Sequence, residues 1–291
     1  MDDGSVVRCK KAASMRLLCT GERDAKMAIK VHDVIQYLER AVETIENTVD
    51  GLNAGVSSME VSGIAVTFMA SQQVIEKAIA QGANLLITHE GEYFSHRGGR
   101  EQWQDDPIVM GKSRLIEQSG IAIYRFHDYW HAYRPDGITE GLTQLLGWSE
   151  YVKAVLPYAS IIELPAECSL DEIAYAAKDK LGLSYVRVVG EASATCRRIG
   201  LSAGYRGGGA VCIPLFHQHD LDLIISGEGQ EWETPEYVRD AMHQGANKAF
   251  LLLGHAESEE PGMHYLASIL EREFRQVPVS FVKQTPLFRI V

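Results

Sequence analysis

Three short stretches bring together side chains able to bind a metal ion. "LLITHEGEYF" ends an apolar run on His89 and Glu90, "FHDYWHAY" offers His127, Asp128 and His131, and "LLLGHAESEEPG" offers His255, Glu257 and Glu259. Imidazole with carboxylate suits zinc, manganese, iron or nickel, and the lack of cysteine among these groups argues against a closed structural zinc site. Any one stretch alone reads as an ordinary strand end with a hydrogen-bonded histidine. The i, i+4 pair His127 and His131 resembles a zincin helix with Asp for Glu, a weak reading because the segment begins at a strand end and runs into Arg134-Pro135-Asp136-Gly137. His96, His217, His219, His243 and His264 lack such company and read as surface or supporting residues. "GYRGGGA" could cradle a phosphate on backbone amides, although a glycine-rich turn alone is weak evidence.

The elements around these stretches alternate. Apolar spacing predicts a helix over Val31–Thr48, and "SGIAVTFMAS", the helix "SQQVIEKAIAQGAN" and "LLIT" read as a β-α-β unit with Gly82 as its helix stop. "SRLIEQSG" repeats the pattern with a stop at Gly120 before a strand over Ile121–Phe126, and "ITEGLTQLLGW" is a further helix. Helix and strand continue through "LDEIAYAAKDKLGLSYVRVVGE", "RRIGLSAG", "LDLIISGEGQEW", "PEYVRDAMHQGAN", "KAFLLLGH", "GMHYLASILEREF" and "VPVSFV". The expected fold is α/β with mostly parallel strands, whose carboxyl ends bring distant loops to one rim. "NLLITHEGEYF" is echoed by "DLIISGEGQEW", and "AIAQGAN" by "AMHQGAN", which points to two related α/β halves; His89 becomes Gly227 in the second. The expected division is a tail over residues 1–26, a discontinuous domain over 27–150 and 246–291, and a second over 151–245.

Bulk properties narrow the partners. A net charge of -11 with no basic cluster argues against a nucleic-acid backbone or an anionic membrane. Five scattered cysteines without a C-x-x-C spacing fit a reducing, cytoplasmic setting, and no apolar run is long enough to span a bilayer. Residues 1–26 match neither a signal peptide nor a core element.

Taken in order, the motifs resemble the Nif-three-like family, often labelled GTP cyclohydrolase I type 2, from about Ile29 to the C-terminus. "VDGLNAG" is similar to its Asp-x-x-Gly-Leu-x-x-Gly segment, "LLITHEGEYF" to Ile-Thr-His-His-Pro ending in Phe, "HDYWHAYRPDGITEGLTQLLGW" to a His-Thr-Asn-Leu-Asp stretch with its following helix, and "LLLGHAESE" to Gly-His-x-x-Ser-Glu. The resemblance implies two related α/β domains with mixed sheets, a site between them for two divalent metal ions, and a homohexamer. Carried over by position, its ligands fall on His89, Glu90, His131, His255 and Glu259. Two of these depart from the family, Glu90 standing for a histidine and His131 for an aspartate. Three imidazoles and two carboxylates remain, as though two ligands had exchanged. The implied activity is metal-assisted hydrolysis of a small substrate such as a purine nucleotide, with Glu259 bridging the ions and His127 relaying protons. A metal-binding scaffold or interaction protein is the alternative, and a degenerate member without metal ranks third.

Overall fold

The structure is a computed structural model and describes residues 28–291; the expected tail over 1–26 lies outside the described residues. The first half contains α1 (Val31–Glu39), β1 (Gly51–Ala54), β2 (Ile64–Met69), α2 (Gln72–Ala80), β3 (Leu85–Glu90), α3 (Pro107–Ser119), β4 (Ala122–Arg125), α4 (Asp128–Ala132) and α5 (Gly137–Leu146). Local chemistry sets several of these ends. The Ser71 hydroxyl accepts from Val74 N at the start of α2, and the Asp106 carboxylate accepts from Ile108 N and Val109 N before Pro107 opens α3. Gly120 and Gly147 stop α3 and α5 in the left-handed conformation, at φ 65 and φ 74.

The helix expected over Val31–Thr48 ends at Glu39. Thr44, Asn47 and Thr48 are weak helix formers, Asn47 takes a positive φ of 55, and Ile45 N donates to the Tyr129 hydroxyl instead of to its own turn. Val42 and Ile45 still pack on the core, so their apolar spacing is satisfied without a helix.

The second half contains β5 (Val152–Val155), β6 (Ser160–Ser169), α6 (Leu170–Leu181), β7 (Arg187–Val189), β8 (Thr195–Ser202), α7 (Gly209–Gln218), β9 (Leu223–Ser226), α8 (Thr234–His243) and β10 (Ala249–Leu252). The chain then returns through α9 (His255–Glu273) to β11 (Val279–Phe281). Two mixed sheets result, ordered β1-β4-β3-β2-β11 and β5-β6-β8-β9-β10-β7. Parallel pairs run through β4-β3-β2-β11 and β8-β9-β10, with antiparallel strands at or near the edges. A boundary at residue 246 groups β10 with the first sheet, yet β10 pairs with β9 and β7. The return to the first sheet therefore comes after Leu252. An apolar run such as "AFLL" is suited to either sheet, so its pairing cannot be read locally.

Alternation along the strands builds the layers. Ile64, Val66, Leu85, Ile87, Ala122 and Tyr124 of the first sheet face the same core as Ile199, Leu201, Leu223, Ile225, Ala249 and Leu251 of the second. That shared layer is filled by α1, α5, α6 and α9. On the outer faces, α2 and α3 cover the first sheet while α7 and α8 cover the second. Helices α5 and α9 cross at Gly141 and Gly262, where a Cβ on Gly141 would lie 2.5 Å from Gly262 Cα. The crossing fixes the position of α9, which carries His255 and Glu259 at its start.

Candidate metal centre

Four imidazoles and one carboxylate converge at the ends of β3, β4 and β10. His89 leaves the buried end of β3 with no exposed surface. His127 sits at the entry of α4 and His131 one turn later, so the i, i+4 helix discounted from sequence does form. Asp50 builds it: Oδ1 accepts from His127 N and Asp128 N, and Oδ2 from Tyr129 N. His255 opens α9 after Gly254, which takes a φ of 106, and Glu259 follows one turn on. Each of His89, His127 and His131 offers a ligand atom within 4.8 Å of the others.

Each ring is anchored through Nδ1. His89 Nδ1 lies 3.3 Å from Phe126 O, His127 Nδ1 2.8 Å from Asp128 Oδ1, His131 Nδ1 3.0 Å from Asp136 Oδ2, and His255 Nδ1 2.8 Å from Glu228 Oε1. Backbone or carboxylate at Nδ1 leaves Nε2 as the ligand atom, which is how metal-binding imidazoles are usually oriented. Glu259 Oε2 stands 3.3 Å from His89 Nε2 and 3.3 Å from His255 Nε2. Despite these distances, His89 Nε2 and Glu259 Oε2 lack a well-directed hydrogen bond, although both are buried. Buried polar atoms without such partners are costly, and a cation between them removes the cost. Gly204 makes room, since a Cβ there would meet Glu259 Oε1. The donor set therefore fits a divalent metal.

Electrostatics divides the histidines. Burial pulls His89 down, but Glu259 outweighs it and raises the ring above its ordinary value. Burial likewise opposes Glu228 and Glu259 at His255, which ends raised to about 10. Glu259, which burial would raise, is held well below the carboxylate range by His89 and His255. His127 falls to about 3 through burial and the neighbouring His89. His131 is lowered by burial, partly offset by Asp136.

Glu90 takes a different course. Its Oε2 accepts from Arg125 Nη2 at 2.5 Å and lies 3.5 Å from His96 Nδ1, while Oε1 is 3.6 Å from His127 Nε2. The glutamate thus meets a buried guanidinium at the edge of the cluster, and His127 stands beside His89 and His131. Glu257 folds back beside Gly254, where a Cβ would meet its carboxylate. The "GYRGGGA" loop is already committed: Gly207 N donates to Glu228 O and Gly209 N to the Glu233 carboxylate. It packs against the turn bearing Glu228, leaving those amides unable to cradle a phosphate.

Asp50, Arg125, Asp136, Arg206 and Glu228 are site residues that sequence reasoning did not single out. Glu228 had a signal, because the strand echo sets it opposite Glu90. Asp136 was visible only as a turn residue; it caps α5 with Oδ1 and holds His131 with Oδ2. Gly227, the counterpart of His89, has a packing reason: a Cβ there would lie 2.4 Å from Ser258 Oγ.

Residues 29–286 match the family Duf34/NIF3, NGG1p interacting factor 3. A "GTP cyclohydrolase 1 type 2 homolog" of Clostridium perfringens is 24% identical over 245 residues, covering 80% of this chain and 88% of the relative. "Protein NIF3 homolog" of Schizosaccharomyces pombe is 26% identical over 254 residues, covering 81% and 85%. The crystal structure of a Bacillus cereus protein related to NIF3 superposes with a TM-score of 0.71 at 15% identity, over 91% of this chain and all (100%) of that one. Reduced HcgD from Methanocaldococcus jannaschii superposes at 0.67 and 15% identity, over 87% and 97%. At these identities the structural matches speak to the fold alone.

Proposed function

Because the chain belongs to the Duf34/NIF3 family, we propose that it is a metal-dependent hydrolase of a small substrate, with two divalent ions held by His89, His127, His131, His255 and Glu259. The observation carrying this reading is the set of four imidazoles anchored at Nδ1 around a buried carboxylate that lacks a well-directed hydrogen bond. Divalent ions held there supply Lewis acidity toward a scissile bond and a nucleophile at neutral pH.

The chain's own groups do the rest. With ions bound, Asp128, Asp136 and Glu228 would accept from Nδ1 of His127, His131 and His255, leaving Nε2 of each ring to face the ions. Glu259, placed between His89 and His255, would be the carboxylate that holds the ions. His127, expected from sequence to relay protons, takes the ligand place expected for Glu90. Glu90, fixed at Oε2 by Arg125, moves protons at Oε1. A cleft of about 1450 Å³, whose wall includes Phe68, Glu228 and His255, borders the centre at His255 and is where a substrate would lie. Purine nucleotides are the first substrates to try, given the names of the relatives, and a homohexamer is the expected assembly.

The test is elemental analysis of purified protein, followed by a panel of nucleotides, phosphoesters and amides with zinc, manganese, iron and nickel. His127→Ala is expected to lose metal. Glu90→Ala is expected to keep metal and lose about 100-fold or more in turnover, the low end for a general acid-base group. Full occupancy without turnover on any substrate class would leave a metal-braced scaffold. That second reading draws on the burial of His89 and Glu259, whose side chains are 0% and 3% exposed. Light scattering reads the assembly, and a monomer would remove the hexamer from the proposal.

A further inference from the structure

Arg206 lies in the glycine-rich loop between β8 and α7 and reaches across to His131. Its Nη1 donates to Asp136 Oδ2 at 2.9 Å, and its Nη2 is 3.0 Å from His131 Nδ1. Asp136 Oδ2 is also 3.0 Å from that same Nδ1. The ring nitrogen is therefore faced by a group that only donates and a group that accepts.

A neutral imidazole cannot satisfy both. With the proton on Nδ1, the ring donates to Asp136 and has nothing to offer Arg206. With a lone pair on Nδ1, it accepts from Arg206, and its single proton moves to Nε2. Ligation by Nε2 requires the first state. The three side chains are 16%, 5% and 14% exposed for Arg206, Asp136 and His131, so solvent does little to soften the conflict. The loop is tied down next to Arg206, where Gly207 N donates to Glu228 O at 2.9 Å.

We propose that Arg206 is a positioning residue that opposes metal loading at His131, by donating to Nδ1 and keeping the ring proton on Nε2. Loading the ring turns it to the Nδ1–H state, in which Asp136 alone serves it and Arg206 keeps only its bond to Asp136. The second sheet thereby sets how readily a ligand on α4 accepts an ion. The inference rests on His131 being a metal ligand, as proposed above.

The experiment uses the full chain labelled with nitrogen-15 histidine, first without metal. Imidazole nitrogen shifts, assigned with His131→Gln, report which nitrogen carries the proton. The wild type is expected to show Nε2–H and Arg206→Met to show Nδ1–H. Zinc titration against a chromophoric chelator should find the variant binding about fivefold more tightly, the scale of one hydrogen bond. Arg206→Lys keeps the ion pair to Asp136 with a single nitrogen; it should shift the same way and serves if the methionine variant fails to fold. An Nδ1–H tautomer in the metal-free wild type, or equal or weaker zinc binding by both variants, overturns the proposal. If the wild type takes up no zinc, the metal reading fails, while the tautomer measurement still decides what Arg206 does.

Discussion

His255 favours its protonated form in the metal-free chain, so an ion must displace that proton, and Glu259 shifts His89 in the same direction. Both rings have raised values, and His255, raised to about 10, is charged at neutral pH and loses that charge on ligation. Metal binding at pH 7 should therefore release protons and tighten as pH rises toward 10. Titration calorimetry in two buffers of different ionisation heat reads the release, and identical heats would contradict the picture. Lys112 gives a second test at this scale. It is 3% exposed, donates to Glu92 O, and burial lowers it to about 8 from the usual 10.5. The unfolded chain binds the extra proton between those values, so stability rises with pH through that window and is lowest below it. Lys112→Met should stabilise the fold at pH 7 by roughly 1–3 kcal/mol, with the gain shrinking toward pH 10.5 in urea titrations. His89, His255 and Glu259 were legible in the sequence because a strand-end string carries each of them. The place of His127 was not, because the five-residue α4 depends on Asp50, 77 residues earlier. Nor was the commitment of Glu90 to Arg125, a contact across 35 residues.

At the level of elements, sequence periodicity located most helices and the central strands, since buried strands such as "IAVTFM" and "LLITHE" read as apolar runs. It missed β1, β5 and β6: β1 and β5 are half-exposed, β6 is buried only over its first half, and their partners lie elsewhere in the chain. The echoes also proved less simple than one aligned repeat: one equates β3 with β9, the other equates the approach to β3 with the approach to β10. Both approaches turn at a glycine, Gly82 at φ 80 and Gly245 at φ 82, so the shared feature is the turn that launches the strand. The crossing of α5 and α9 is the element on which the site leans most. Gly262→Ala would drive a methyl to 2.4 Å from Ile138 Cα. It should cost about 1–3 kcal/mol in urea denaturation and reduce metal content, because α9 moves with His255 and Glu259. A variant as stable as the wild type would show that the crossing has slack.

At the scale of the whole molecule, the chain carries a net charge of -11. Among the described residues, no helix is long and apolar enough to cross a membrane. The sheets are two, but the layer between them belongs to both, with Ile87 and Leu251 in one apolar cluster around α5 and α9. Separation has a consequence for anyone wishing to divide the chain. A fragment over residues 151–253 would keep β5 to β10 but leave its inner sheet face bare of α5 and α9. Such a fragment should collapse into aggregates or a fluid compact state that binds a hydrophobic dye. A soluble fragment with dispersed amide spectra would disprove this. Cooperativity would then extend beyond the individual sheet, with the two sheets and the layer between them folding as one unit.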